Sequence, residues 1–131
     1  MTEAQLPLTS RSCIPCRGDT PPLTAAEIAA YLPQVPKWTV EEGKRLRRTY
    51  RFKDFATGLA LVNRIGAMAE EEDHHPDIFL AWGRVEVTLW THIIDGLTEN
   101  DFVVAAKTER LAEHAPGRRK EPAGSPARDK T

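Results

Sequence analysis

Three of the four histidines lie in the stretch EEEDHHPDIFLAWGRVEVTLWTHIIDGLTEND, from Glu70 to Asp101, together with two of the three tryptophans. His74 and His75 are adjacent and follow a long helical pattern, while His92 closes a strand-like run. Imidazole titrates near neutrality, so histidines gathered at the ends of elements are suited to handling protons. Around one cleft, one ring can donate a proton while another accepts. That fits elimination or addition of water, in which a hydroxyl leaves as water and a neighbouring N–H gives up its proton. Glu70 stands four residues before His74, so a persisting helix makes them neighbours. A carboxylate there fixes the imidazole tautomer and favours its charged form. Pro76 drives His75 out of the helical region and sends the two rings in different directions. Trp82 and Trp90 offer flat surface for a planar ring. The stretch holds no Ser or Cys, which leaves covalent catalysis unsupported.

The same residues have plainer uses. His74 and His75 suit a helix C-terminus, where imidazolium complements the dipole. His92 can be a polar strand end, and a helix cap accounts for Asp101. Tryptophans are commonly core or interface residues. Three histidines can hold zinc, but adjacent ones are poor ligand spacing because neighbouring side chains diverge. Cys13-Ile14-Pro15-Cys16 supplies half a tetrahedral site with no second pair. A redox CxxC normally opens a helix, and here Pro and Gly surround it.

The elements that must position these groups follow from periodicity. Thr24 and Glu27 form a capping box stapled by Leu23 and Ile28, starting a short helix that Pro33 and Pro36 stop. Extended runs at Lys37–Glu41 and Lys44–Phe52 join at Glu42-Gly43. In the second, Leu46, Tyr50 and Phe52 share one face, and Arg45, Arg47, Thr49 and Arg51 the other. A helix then runs from Lys53 to Glu72 on a stripe of Phe55, Leu59, Val62, Ile65 and Ala69. It ends in Glu70-Glu71-Glu72-Asp73, which is costly at the negative end of a helix unless a cation sits opposite. Ile78–Trp82 and Arg84–His92 form a second hairpin turning near Gly83. Its second strand places Val85, Val87, Leu89 and Thr91 on one face, and Arg84, Glu86, Thr88, Trp90 and His92 on the other. Thr98 and Asp101 make another cap, stapled by Leu97 and Phe102, for a helix to about His114. The order α-β-β-α-β-β-α predicts an α+β fold with a four-stranded antiparallel sheet and helices on one face.

At 131 residues the chain is expected to form one domain, residues 23–114, between a flexible N-terminal arm (1–22) and a disordered basic tail (115–131). Net charge −1 gives no field for nucleic acid or an anionic membrane. No apolar run reaches the ~20 residues of a membrane span. Two cysteines and no secretory pattern at the N-terminus predict a cytoplasmic protein. The two sheet edges invite pairing with another subunit.

Taken together, Glu70, His74-His75-Pro76, Trp82, His92 and Asp101, at these gaps, resemble the signature of the pterin-4a-carbinolamine dehydratases. Phe52-Lys53-Asp54-Phe55 and Pro36-Lys37-Trp38 extend the resemblance, which covers about Thr24 to Glu113. The Cys13-Cys16 arm looks like the N-terminus of some bacterial members. The resemblance implies a homodimer or homotetramer that dehydrates 4a-hydroxytetrahydropterin to quinonoid dihydropterin, recycling the cofactor of aromatic amino acid hydroxylases. It implies no metal and no organic cofactor, the pterin being the substrate. It maps the catalytic imidazoles onto His74, His75 and His92. Two of them would share the acid and base roles while the third orients the pterin. Pro76, Thr91, Ile93 and Ile94 would line the pocket, Glu70 would tune His74, and Asp101 and Trp82 would hold the site. Only Ile94 stands at a position that varies among relatives. Members of this fold also act as a transcriptional dimerisation cofactor or as RuBisCO assembly factors, so a non-catalytic protein-binding role is the alternative.

Overall fold

The computed structural model describes residues 6–15 and 17–121. Helix α1 (Ala25–Tyr31) starts at the expected capping box: the Thr24 hydroxyl accepts from the Glu27 N–H, and the Glu27 carboxylate accepts from the Thr24 N–H. Strands β1 (Thr39–Glu41) and β2 (Arg45–Arg51) form the first hairpin, with Glu42 and Gly43 in the left-handed region at its turn. Helix α2 (Phe55–Glu72) is capped by the Asp54 carboxylate. Strands β3 (Asp77–Ala81) and β4 (Arg84–Leu89) form the second hairpin, and helix α3 (Glu99–Glu113) comes after it. The sheet runs β1-β2-β4-β3, antiparallel throughout, as the sequence predicts. β1 and β3 are its edges.

One face of the sheet carries Leu46, Tyr50, Val85, Val87 and Leu89, all buried, and α2 and α3 pack onto it. α3 is the most enclosed of the three α-helices, with Phe102 to Ala106 buried in a row. The α2 stripe keeps the expected Val62, Ile65 and Ala69 but is shifted over the first turns. Gly58, Leu61, Ile65 and Ala69 face the core, leaving Phe55 and Leu59 exposed. Gly58 sets that phase because a β-carbon there would stand 3.3 Å from Leu80 Cδ1 and 3.4 Å from Val85 Cγ2. The helix lies that close to the sheet because its contact residue has no side chain.

Described residues on both sides of 23–114 pack against that unit. In the segment predicted to be a loose arm, Leu8 is buried in the core, and Arg11 is buried with its Nη1 3.0 Å from Glu99 Oε1. Polar composition hid this docking, because specific hydrogen bonds hold the segment where no apolar period does. At the other end, residues 115–121 are packed. Lys53 N–H donates to Gly117 O, and Arg119 N–H donates to Arg51 O. Residues 1–5, Cys16 and the remainder of the predicted tail, 122–131, lie outside the described residues.

The core face of β2 also holds a charge. Arg48, which takes the inward place between Leu46 and Tyr50, is 4% exposed. Its Nε and Nη2 reach the two Glu109 oxygens at 2.9 and 3.2 Å, and its Nη1 reaches Glu121 Oε1 at 2.5 Å. Glu109 also accepts from the Tyr50 hydroxyl (2.9 Å) and Trp38 Nε1 (3.1 Å). Burial pushes the Glu109 carboxyl up, but the Arg48 hydrogen bonds and charge outweigh it and hold the group below the usual carboxylate range.

Glu109→Ala leaves Arg48 with Glu121 alone and removes the acceptor of the Tyr50 hydroxyl and Trp38 Nε1, so it is expected to cost about 2–4 kcal/mol in denaturant unfolding. Because the folded-state value is depressed, the stabilisation is present above the unfolded carboxyl's range and disappears as pH falls through the folded value. Melting temperature should therefore drop on acidification in wild type, and drop less over that window in Glu109→Gln.

Candidate active site

α2 stops at Glu72, and Asp73 turns left-handed at φ 53° while its N–H still donates to Ala69 O. That single residue swings the backbone beyond it out of helical phase. The His74 ring is carried toward α3, and His75 falls back beside the last turn of α2. The expected Glu70–His74 pair therefore does not form. Glu70 Oε2 instead meets His75 Nε2 in a short hydrogen bond, both side chains being exposed. His74 Nε2 lies 2.7 Å from Asp101 Oδ1, with the His74 side chain 11% exposed and Asp101 completely buried.

Asp101 is saturated by its surroundings. Its Oδ2 accepts from the Thr91 hydroxyl and from the Thr98 N–H, both at 2.9 Å, while the Thr98 hydroxyl lies 2.9 Å from that of Thr91. A carboxylate that accepts the His74 Nε2 proton leaves Nδ1 as the ring nitrogen free for a ligand.

β4 ends at Leu89, short of the predicted His92. Thr91 and Gly96 then bridge across a tight loop, and His92–Ile94 form one 3₁₀ turn that holds His92 and Ile93 out to solvent. The His92 ring packs edge-on against Trp90 (centroids 4.1 Å apart, 67° between planes), and the Arg45 guanidinium covers Trp90 at 4.6 Å. Arg45 and Lys44 also reach Asp95 in the same loop, at 3.5 and 3.2 Å. Trp90 thus fixes a histidine rather than offering a free platform. Strand alternation had already placed both residues on one face.

His74, His75, Thr91, His92 and Ile93 line one cleft of about 540 Å³. Glu71, Glu72, Asp73 and Asn100 add polar wall, and Cys13, Ile14 and Pro15 come from the N-terminal segment. Pro76 and Ile94 are half-buried and do not line it. Trp82 stands in the β3–β4 turn, at the far end of that hairpin from Pro76, and is 66% exposed. The length of the hairpin places it away from the residues that line the cleft. Among the described residues no three His, Cys, Asp or Glu side chains are grouped to hold a metal ion. Burial, then the Glu72 carboxylate, push the Cys13 thiol up to about 12, so it is protonated at neutral pH. No described helix is long and apolar enough to cross a membrane.

The family model described as pterin 4 alpha carbinolamine dehydratase matches residues 21–111. A protein of Rubrobacter xylanophilus with the provisional name pterin-4-alpha-carbinolamine dehydratase is 51% identical over 104 residues, covering 79% of this chain and 97% of that protein. One from Aromatoleum aromaticum with the same provisional name is 48% identical, covering 80% and 95%. Among solved structures, a transcriptional coactivator/pterin dehydratase from Brucella melitensis superposes with a TM-score of 0.66 at 36% identity, covering 70% of this chain and 99% of that one. A pterin dehydratase-like protein identified as a RuBisCO assembly factor in the alpha-carboxysome superposes at 0.51 and 26%, covering 58% and 89%. With the histidines converging on one cleft and the match running through the elements that hold them, the chain belongs to the pterin-4a-carbinolamine dehydratase family.

Proposed function

We propose that the protein dehydrates 4a-hydroxytetrahydropterin to quinonoid dihydropterin by histidine general acid–base catalysis, as a 4a-hydroxytetrahydrobiopterin dehydratase. The observation that carries this is the convergence of His74, His75 and His92 on one solvent-open cleft, with a buried carboxylate behind the first. The reaction breaks the C4a–O bond and an N–H bond, releases water and leaves a C4a=N5 double bond. It is redox-neutral, so the chain's own side chains suffice and neither a metal nor an organic cofactor is invoked.

His74 is assigned the base. Its Nδ1 takes the N5 proton, and Asp101 stabilises the imidazolium that results. His92, steadied by Trp90 and 3.8 Å from Asp77 Oδ1, gives its proton to the departing hydroxyl. His75, paired with Glu70, orients the pterin through a hydrogen bond. Release of quinonoid dihydropterin places the enzyme in cofactor recycling, which fits a cytoplasmic protein. The exposed Phe55 and Leu59 on α2 and the two free sheet edges support assembly as a homodimer or homotetramer.

A second reading is a protein-binding factor. Phe79 and Trp82, both exposed on or beside edge strand β3, favour it, as does the likeness to an assembly factor. The two readings part at the histidines, because binding through that edge does not need them.

Wild-type protein is expected to accelerate loss of the 4a-hydroxypterin absorbance, and His74→Ala or His92→Ala to lose roughly 10²–10⁴-fold in kcat. A wild type no faster than buffer ends the enzyme reading; a bound protein partner retained by His74→Ala then supports the other. Asp101→Asn should lower kcat by roughly 10-fold or more, whereas Glu70→Gln, screened by solvent, should cost less. Equal losses in steady-state rates would show that burial of Asp101 confers nothing.

A further inference from the structure

The N-terminal segment is built into the cleft, although it precedes the region matched by the family model. Three backbone groups fix it there. The Cys13 N–H donates to Glu72 Oε1 at 2.8 Å, and Glu72 is itself held by Lys107 Nζ at 2.5 Å. Asn100, 4% exposed, is bound from both sides: its Oδ1 accepts from the Ile14 N–H at 3.0 Å and its Nδ2 donates to Ile14 O at 2.6 Å. Glu72 ends α2 and Asn100 lies beside Asp101, so the segment is tied to the two elements that carry His74 and its carboxylate. Farther along, Gly18 lies against Ile93, whose Cδ1 and Cγ1 are 3.7 Å from where a β-carbon at Gly18 would stand. The segment therefore starts at the α2–α3 junction and reaches the His92 turn.

The side chains it presents are apolar. Ile14 is 65% exposed even though its backbone is doubly anchored, and it lines the cleft with Pro15 and Ile93. The remaining lining is mostly acids and imidazoles. A flat bicyclic ring has edges that want hydrogen bonds and faces that want apolar contact. Histidines and carboxylates serve the edges. The faces need the isoleucines.

Building on the dehydratase reading above, we propose that Cys13–Pro15 forms a wall of the substrate cleft and that Ile14 packs against the face of the bound pterin, so that this position sets affinity and selects among pterins. Contact with an unreacting face is made equally in the ground and transition states, and its loss appears in KM rather than kcat. Because the segment is anchored through backbone groups, changing the Ile14 side chain leaves the anchors in place.

The test is steady-state dehydration of 4a-hydroxytetrahydropterin by wild type, Ile14→Ala and Ile14→Leu, each with a thermal melt. Ile14→Ala should raise KM by about 5-fold or more, keep kcat within about 2-fold and melt like wild type, and Ile14→Leu should restore KM. Unchanged KM in Ile14→Ala, or a loss confined to kcat, overturns the assignment while leaving the dehydratase reading intact. A wild type without turnover overturns both.

Discussion

The Asp101 carboxylate is the constraint on which the site rests. A completely buried carboxylate is costly unless its oxygens are paired. This one takes the His74 ring N–H on one oxygen, and the Thr91 hydroxyl and Thr98 N–H on the other. Those partners lie after α2, after β4 and before α3. The loop that joins β4 to α3 and the distant end of α2 therefore have to meet at one point for the charge to be tolerated. The cap of α3 and the orientation of His74 are consequently one arrangement.

Around that point the acid-rich end of α2 is neutralised piece by piece. Four acidic residues at a helix C-terminus face the wrong end of the dipole. Glu72 is met by Lys107 and the Cys13 N–H. Burial alone would raise its carboxyl, but these contacts hold it below the usual range. Glu70 is met by His75, and Asp73 leaves the helix by turning left-handed. The cluster is thus used to hold a lysine, an imidazole and a neighbouring strand of backbone at the rim of the cleft.

The elements and their order were legible in the sequence because capping residues and periodicity are local signals. Thr24–Glu27 and the Val85–Val87–Leu89 alternation needed nothing from the rest of the chain. Of the residues picked out in the sequence, His74, His75, Thr91, His92 and Ile93 line one cleft, whereas Pro76, Ile94 and Trp82 do not, and the pairing of the histidines was not legible. Helical spacing assigned Glu70 to His74, and one left-handed residue at Asp73 handed it to His75 instead. The buried stripe of α2 was legible at Val62, Ile65 and Ala69 but not over the first turns, where apolar side chains mark Phe55 and Leu59 and close approach to the sheet selects Gly58. Arg48 escaped notice since its partners, Glu109 and Glu121, are far along the chain. The role of residues 6–15 was invisible for the same reason: hydrogen bonds to Glu72, Glu99 and Asn100 leave no period to detect.

The manner in which Asn100 grips Ile14 bears on how such a protein can diversify. It binds main-chain atoms that every amino acid but proline shares, so the attachment is indifferent to what is attached. Sequence drift at that spot can refurnish the mouth of the cavity while the reacting groups behind it keep their alignment. In the proposed reading, selectivity and chemistry are thereby lodged in separate parts of the polypeptide, free to change at different rates.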